Sequence, residues 1–185
     1  MRKLKIDLGE LAFAFESGFD QLSNYLDLET GTIALVTDDT RGELEAIYEE
    51  VDTEEDEDSS ALIDLLEERN LPDWQKQMVL QADQVERGYG TRFVAVPQVD
   101  SHEAYGDMED FIATVHNPHI REVLEVAIMG RGAFRRFKDV LYNYPHEEKR
   151  WFAFKETRML ERVREWLEGY GIEPISETET DDDGR

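Results

Sequence analysis

One stretch of the chain combines residue types and spacing that could do chemistry: Met129-Gly130-Arg131-Gly132-Ala133-Phe134-Arg135-Arg136-Phe137-Lys138-Asp139. Four cations, Arg131, Arg135, Arg136 and Lys138, follow or flank two glycines that suit the end of one helix and the start of the next. Guanidinium groups beside the free backbone donors of a helix start can hold a phosphate or a carboxylate. Cations in the first turns of a helix also oppose the positive end of its dipole, so something negative is expected close by. That partner is an internal carboxylate or an external anion, and the excess of acids in the chain favours the internal one. Arg135 and Asp139 form an ordinary i, i+4 pair, worth about 0.3–0.5 kcal/mol and implying no function.

The elements that must position these cations follow from periodicity. Phe134, Phe137, Leu141 and Tyr144 recur at helical spacing and predict a helix over 132–143, with Phe134 and Phe137 as core anchors. Asn117-Pro118 is a cap followed by a favoured first helical residue, which predicts a helix over 118–129 with Ile120, Val123, Leu124, Ala127 and Ile128 inward. Asp107 is the expected cap of a helix through Met108, Phe111, Ile112 and Val115. Pro145 breaks the basic helix, and the longest helix runs from about Glu147 to Tyr170.

Upstream, Asp7 caps a short helix through Phe15 that Ser17-Gly18 ends. Leu22–Leu28 and Thr32–Val36, joined by Glu29-Thr30-Gly31, read as a hairpin with Leu22, Leu26 and Leu28 on one face. Arg92–Val96, closed by Pro97, reads as a third strand. Helices are expected around Leu44–Val51, over Ala61–Arg69 behind Ser59-Ser60, and from Pro72 through Trp74, Met78 and Val85, the last two helices facing the core. The fold class is therefore α+β: a small antiparallel sheet of about three strands, near 22–36 and 92–96, packed against several helices. Residues 1–172 are expected to form one domain, with a mobile acidic loop near 52–58 and a disordered acidic tail over 173–185.

The chain has 185 residues, 44 acids against 20 bases and a formal charge of -24. That charge argues against bulk binding to nucleic acid or anionic membranes, and an acidic surface serves solubility or adaptation to high salt. The absence of cysteine excludes disulfides, thiol catalysis and cysteine-ligated zinc. Asp7 and Glu10 interrupt any signal-peptide pattern, and no apolar run reaches membrane-spanning length, so the expected location is the cytoplasm.

Charge is segregated. Asp38–Asp58 holds 12 acids and one base, whereas Arg131–Arg164 holds ten bases and five acids, with Tyr142, Tyr144, Trp151 and Phe152 among them. Arginine mixed with aromatics can hold phosphate and stack a base, but the plainer reading makes the aromatics core and lets the basic stretch dock on the acidic one, within one molecule or between two. His116 and His119 are close in sequence, yet a helix start falls between them and gives no shared ligand face. The acidic run lacks the alternation and central glycine of a calcium loop, so neither a metal nor a cofactor is expected. Gly-x-Ser-x-Gly, phosphate-loop and His-Glu-x-x-His signatures are missing, and the balance leans away from an enzyme.

Four segments carry a family likeness: Asp7-Leu8-Gly9-Glu10-Leu11, Tyr25-Leu26-Asp27-Leu28-Glu29-Thr30-Gly31, Gly130 to Asp139, and Trp151-Phe152-Ala153-Phe154. In order and spacing the chain resembles uncharacterised protein family 0158 as far as about residue 172, with the acidic tail outside the pattern. The resemblance implies a bacterial single-domain protein and transfers no activity, cofactor or catalytic residue. From the residues, the leading expectation is a non-enzymatic binding or protein-interaction module whose Arg131, Arg135, Arg136 and Lys138 face meets an anionic partner or internal acids. The alternatives are an acidic nucleic-acid mimic that occupies a basic protein, and an enzyme acting on a phosphorylated small molecule.

Overall fold

The structure, a computed structural model, describes residues 1–16, 21–50 and 60–175. It is α+β, and it divides into two compact units: Met1–Gln98 with the chain from Gly171, and Val99–Tyr170.

The first unit contains, in chain order, β1 (Arg2–Lys5), α1 (Leu8–Glu16), β2 (Leu22–Asp27), β3 (Ile33–Thr37), α2 (Asp38–Glu50), α3 (Ser60–Glu68), α4 (Asp73–Gly88) and β4 (Phe93–Ala95), and it is completed by β5 (Ile172–Ile175). Asp7 caps α1 as its sequence position suggests, accepting from the amides of Gly9 at 2.8 Å and Glu10 at 2.9 Å. The hairpin and third strand form an antiparallel sheet in the order β3-β2-β4, with Tyr25 opposite both Ala34 and Ala95. β2 is thus a central strand, and it is buried on both faces from Asn24 to Asp27. The single apolar face expected of Leu22, Leu26 and Leu28 reduces to Leu26, because Leu22 and Leu28 are only half-buried. Val36, Leu44, Ile47, Leu66, Val79 and Val85 close the core with helices α2, α3 and α4. Trp74, at the start of α4, is exposed and takes no part in it.

A second, two-stranded sheet pairs β1 with β5 in parallel, Arg2 opposite Ile172 and Lys5 opposite Ile175. Residues 173–175 therefore belong to a strand and not to the acidic tail, because their backbone groups are satisfied by a partner at the far end of the chain. The rest of the expected tail, 176–185, and the acidic run 52–58 lie outside the described residues. Gly31 has φ +77°, and a Cβ on it would stand 2.0 Å from the Lys5 carbonyl oxygen, so the hairpin loop lies directly on the end of β1 and only glycine fits.

Two buried carboxylates in this unit are held by arginine. Asp83, on α4, accepts from the Tyr48 hydroxyl and from Arg87 Nε at 2.7 Å, and burial together with that carboxylate pushes the Tyr48 phenol up to about 12. Asp27 accepts from Arg92 Nη2 at 2.6 Å and from the Glu29 amide at 2.8 Å. Burial pulls its pKa upward, but the Arg92 guanidinium and the loop amides outweigh it and hold the carboxyl below its ordinary value of 3.8.

The second unit is a helical bundle of α5 (Ser101–Ala113), α6 (Pro118–Ala127), α7 (Ala133–Leu141) and α8 (Pro145–Gly169). Asn117 caps α6 through the amides of His119 and Ile120, with Pro118 in the first turn. The cap of α5 is Asp100, which accepts from the His102 and Glu103 amides at 2.7 and 2.8 Å. Asp107, the expected cap, instead sits inside α5, buried, where Arg162 of α8 grips both its oxygens at 2.7 and 2.8 Å. The helix starts about two turns earlier than its apolar run, so an interior acid stands where a cap is normally sought. Phe111, Phe137 and Trp151 form the centre of the core, with ring centroids 5.3 Å apart for Phe111–Trp151 and 4.9 Å for Phe137–Trp151, in edge-to-face contact.

Asp107→Asn leaves Arg162 without its charge partner beside a buried amide and should cost about 3 kcal/mol, read as a lower urea midpoint at pH 7. A depressed folded-state pKa at Asp27 means stability that is present above the unfolded value, near pH 4, and is lost as pH falls through the folded one. Urea titrations below pH 4 should therefore show a smaller loss of stability in Asp27→Asn than in the wild type.

Candidate functional site

The cations singled out in the sequence cluster at the turn between α6 and α7. Gly130 and Gly132 adopt φ of +72° and +77°, a region that favours glycine, and they reverse the chain between the two helices. Such a turn strands the last carbonyls of α6, which have no amide partners further along the helix. Arg136 satisfies them: its Nε donates to the Ala127 carbonyl at 2.9 Å, and its terminal nitrogens donate to the carbonyls of Met129 and Arg131. The Tyr105 hydroxyl, from α5, donates to the Ile128 carbonyl at 3.1 Å. A Cβ on Gly132 would lie 3.3 Å from Arg136 Nη1, so the guanidinium passes closely under the glycine.

The negative partner of Arg136 is therefore the carbonyl end of α6, which is also the negative pole of that helix, and no carboxylate among the described residues. Arg135 lies 3.9 Å from Asp139, with both side chains largely in solvent. Arg131 and Lys138 are exposed and form no ion pair among the described residues. Phe134 is 41% exposed and is not the core anchor expected. The buried face of α7 runs through Ala133, Phe137 and Leu141, and Phe134 is rotated about 100° from Ala133 around the helix axis, towards the cations. Arg131, Phe134, Arg135, Lys138 and the 77% exposed Tyr142 thus present one charged, aromatic surface.

Three further arginines of the stretch do other work inside the same unit. Arg150 donates to Glu147 at 2.6 Å and to the Thr114 carbonyl at 3.2 Å, Arg158 pairs with Asp110, and Arg162 holds Asp107. Arg150 and Arg158 also lie over the rings of Phe111 and Phe154 at 5.7 and 5.5 Å. On the acidic side, described residues of α2 have partners in their own unit: Asp38 with Arg41 at 3.7 Å, Glu43 with Gln75 at 2.8 Å, and Glu50 with Arg69.

A shallow groove of about 430 Å³ lies between α5 and α6, lined by Tyr105, Glu109, Ile112, Ala113, Glu125, Ile128 and Met129. Its floor is apolar and its rim carries two carboxylates. Neither His116, His119 nor any α7 cation lines it, and His116 Nδ1 lies 2.8 Å from the Thr114 carbonyl. Sequence reasoning missed this groove. The only signal for it was Met129, an apolar residue placed one position beyond the inward stripe of α6 and 70% exposed.

These features define a small α+β protein with a basic, aromatic helix face and an acidic-rimmed groove on one helical unit. The model of the uncharacterised protein family UPF0158 matches residues 80–185, more than half of the chain, and the chain belongs to that family. The match includes the turn, α7 and the tail, which the sequence resemblance left outside the pattern. A relative from Pseudomonas aeruginosa, UPF0158 protein PA5073, is 27% identical over 178 residues, spanning 95% of this chain and 90% of its own. No solved structure matches the chain. No helix among the described residues is long and apolar enough to cross a membrane.

Removing the Arg136 clasp should open the turn locally. Arg136→Ala should cost about 1–3 kcal/mol and speed amide exchange over residues 129–133 by about tenfold or more, and Arg136→Lys, lacking the planar fork, should recover little of it.

Proposed function

We propose that this chain is a protein-interaction module whose α7 face, carrying Arg131, Phe134, Arg135, Lys138 and Tyr142, receives an acidic segment of a protein partner. The observation that carries this reading is the division of labour among the arginines of the helical unit. Arg136, Arg150, Arg158 and Arg162 are occupied by carbonyls and carboxylates of the fold. Arg131 and Lys138 have no such partner among the described residues, and Arg135 has only a loose, exposed one. Arginine beside an exposed aromatic ring is the composition of interface hot spots, and the turn that presents it is fastened by Arg136.

The net charge of -24 supports a short acidic protein segment over nucleic acid or an anionic membrane, since long-range repulsion opposes large polyanions while a local patch acts within about a Debye length. The bacterial relative and the cysteine-free composition support a bacterial cytoplasmic setting. The α5–α6 groove is open and lacks the α7 cations, which gives no support to a phosphorylated small-molecule substrate.

Titration of a dilute, isotope-labelled protein with an Asp/Glu-rich peptide should shift amide resonances over 130–142 and leave α3 and α4 unmoved. The triple variant Arg131→Glu, Arg135→Glu, Lys138→Glu, still folded by circular dichroism, should bind the peptide at least about tenfold more weakly. Shifts scattered over both units, or equal affinity in the variant, would sink the reading.

A further inference from the structure

The α5–α6 groove and the α7 face are opposite in charge and alike in shape requirement. The groove has an apolar floor of Ile112, Ala113 and Ile128 and two rim carboxylates, Glu109 and Glu125, with no ion pair among the described residues. Met129 at its edge is 70% exposed and supplies a flexible, adaptable wall. A fitting occupant is therefore an apolar side chain bracketed by cations on a helix. The α7 face offers that arrangement: Phe134 has Lys138 one turn further along the helix, Arg135 as its chain neighbour, and Arg131 three residues earlier in the turn that precedes the helix, all exposed.

We propose that the occupant of the groove is α7 of a second copy of this chain, with Phe134 on the apolar floor and Arg131, Arg135 and Lys138 against Glu109 and Glu125. The inference rests on the α7 reading above and names its partner. Groove and helix face belong to the same helical unit and adjoin the same turn, since Met129 ends the groove and Arg131 begins the basic face. A two-fold axis beside that turn seats both α7 helices at once, so the contact closes as a dimer with residue i of one copy on residue j of the other. Arg136 and Tyr105 fix the four carbonyls from Ala127 to Arg131 that they contact, which holds groove edge and basic face in one geometry. The rim carboxylates offset the α7 cations locally, which lets two strongly acidic chains meet where their surfaces are of opposite sign.

Sedimentation of the full chain over a concentration series up to about 100 μM should show a reversible monomer–dimer equilibrium with micromolar dissociation. Phe134→Glu and Glu125→Arg, both at exposed positions, should each weaken dimerisation at least about tenfold, and Glu125→Arg combined with Arg135→Glu should restore part of it. Met129→Glu serves as a second groove variant should either of these fail to fold. A wild type that stays monomeric, a dimer indifferent to these variants, or open-ended larger assemblies overturns the proposal. Monomers whose α7 resonances still shift with the acidic peptide overturn the second-copy occupant alone. Monomers that ignore the peptide overturn the α7 reading as well.

Discussion

Burial of carboxylates is the constraint on which much of this structure depends. Asp27, Asp83 and Asp107 are each withdrawn from water, and a desolvated carboxylate is tolerated only with a strong donor against it. Arg92, Arg87 and Arg162 supply those donors; Arg87 does so from the next turn of α4, whereas Arg92 joins a strand end to the residue before β4 and Arg162 joins α5 to α8, positions that no local pattern links. Arginine suits the task because its planar fork can grip both oxygens, as Arg162 does on Asp107. In a chain with 44 acids and 20 bases, committing arginines to the interior decides which cations are left for the outside.

The α6–α7 turn applies the same logic to backbone carbonyls. Cations near the start of α7 are unfavourable by the dipole of their own helix, yet Arg136 reaches back to the end of α6, where the dipole and the stranded carbonyls both favour it. The two glycines make that return path possible, and the absence of a side chain at Gly132 lets the guanidinium pass. What emerges is a braced corner with its other cations facing outward. The brace is structural, so Arg136 differs in role from Arg131, Arg135 and Lys138 even though all four look alike in the sequence.

Several elements were legible because their signals are local. Asp7 and Asn117-Pro118 announce helix starts, Gly31 announces the hairpin turn between β2 and β3, and a short apolar run closed by Pro97 announces β4. The failures are non-local or depend on phase. β1 and β5 pair from opposite ends of the chain, and neither is apolar enough to read as a strand alone. Asp107 stands before an apolar run where a cap would, and spacing carries no sign of its long-range partner Arg162. Phe134 and Ala133 are neighbours competing for one face of a short helix, and size alone favours the phenylalanine; packing against Phe111 and Trp151 keeps Phe137 inward as expected but puts small Ala133, not Phe134, beside it on the buried side. The same error of phase concealed the candidate surface, because a phenylalanine counted as core cannot be counted as an interface anchor.

A net charge of -24 argues against association between copies only if charge is taken as uniform. It is not uniform. Within the helical unit the carboxylates of α5 that face α8 are already neutralised by Arg158 and Arg162, while Glu109 and Glu125 border an apolar groove and Arg131, Arg135 and Lys138 face outward at and beside α7. Beyond about 10 Å, solvent ions screen the remaining acids of both chains, whereas charges brought into contact over an apolar floor are screened far less. The local arrangement therefore outweighs the global sign at close range, and selectivity follows from the same geometry: only a surface that presents an apolar anchor between cations gains from both the floor and the rim.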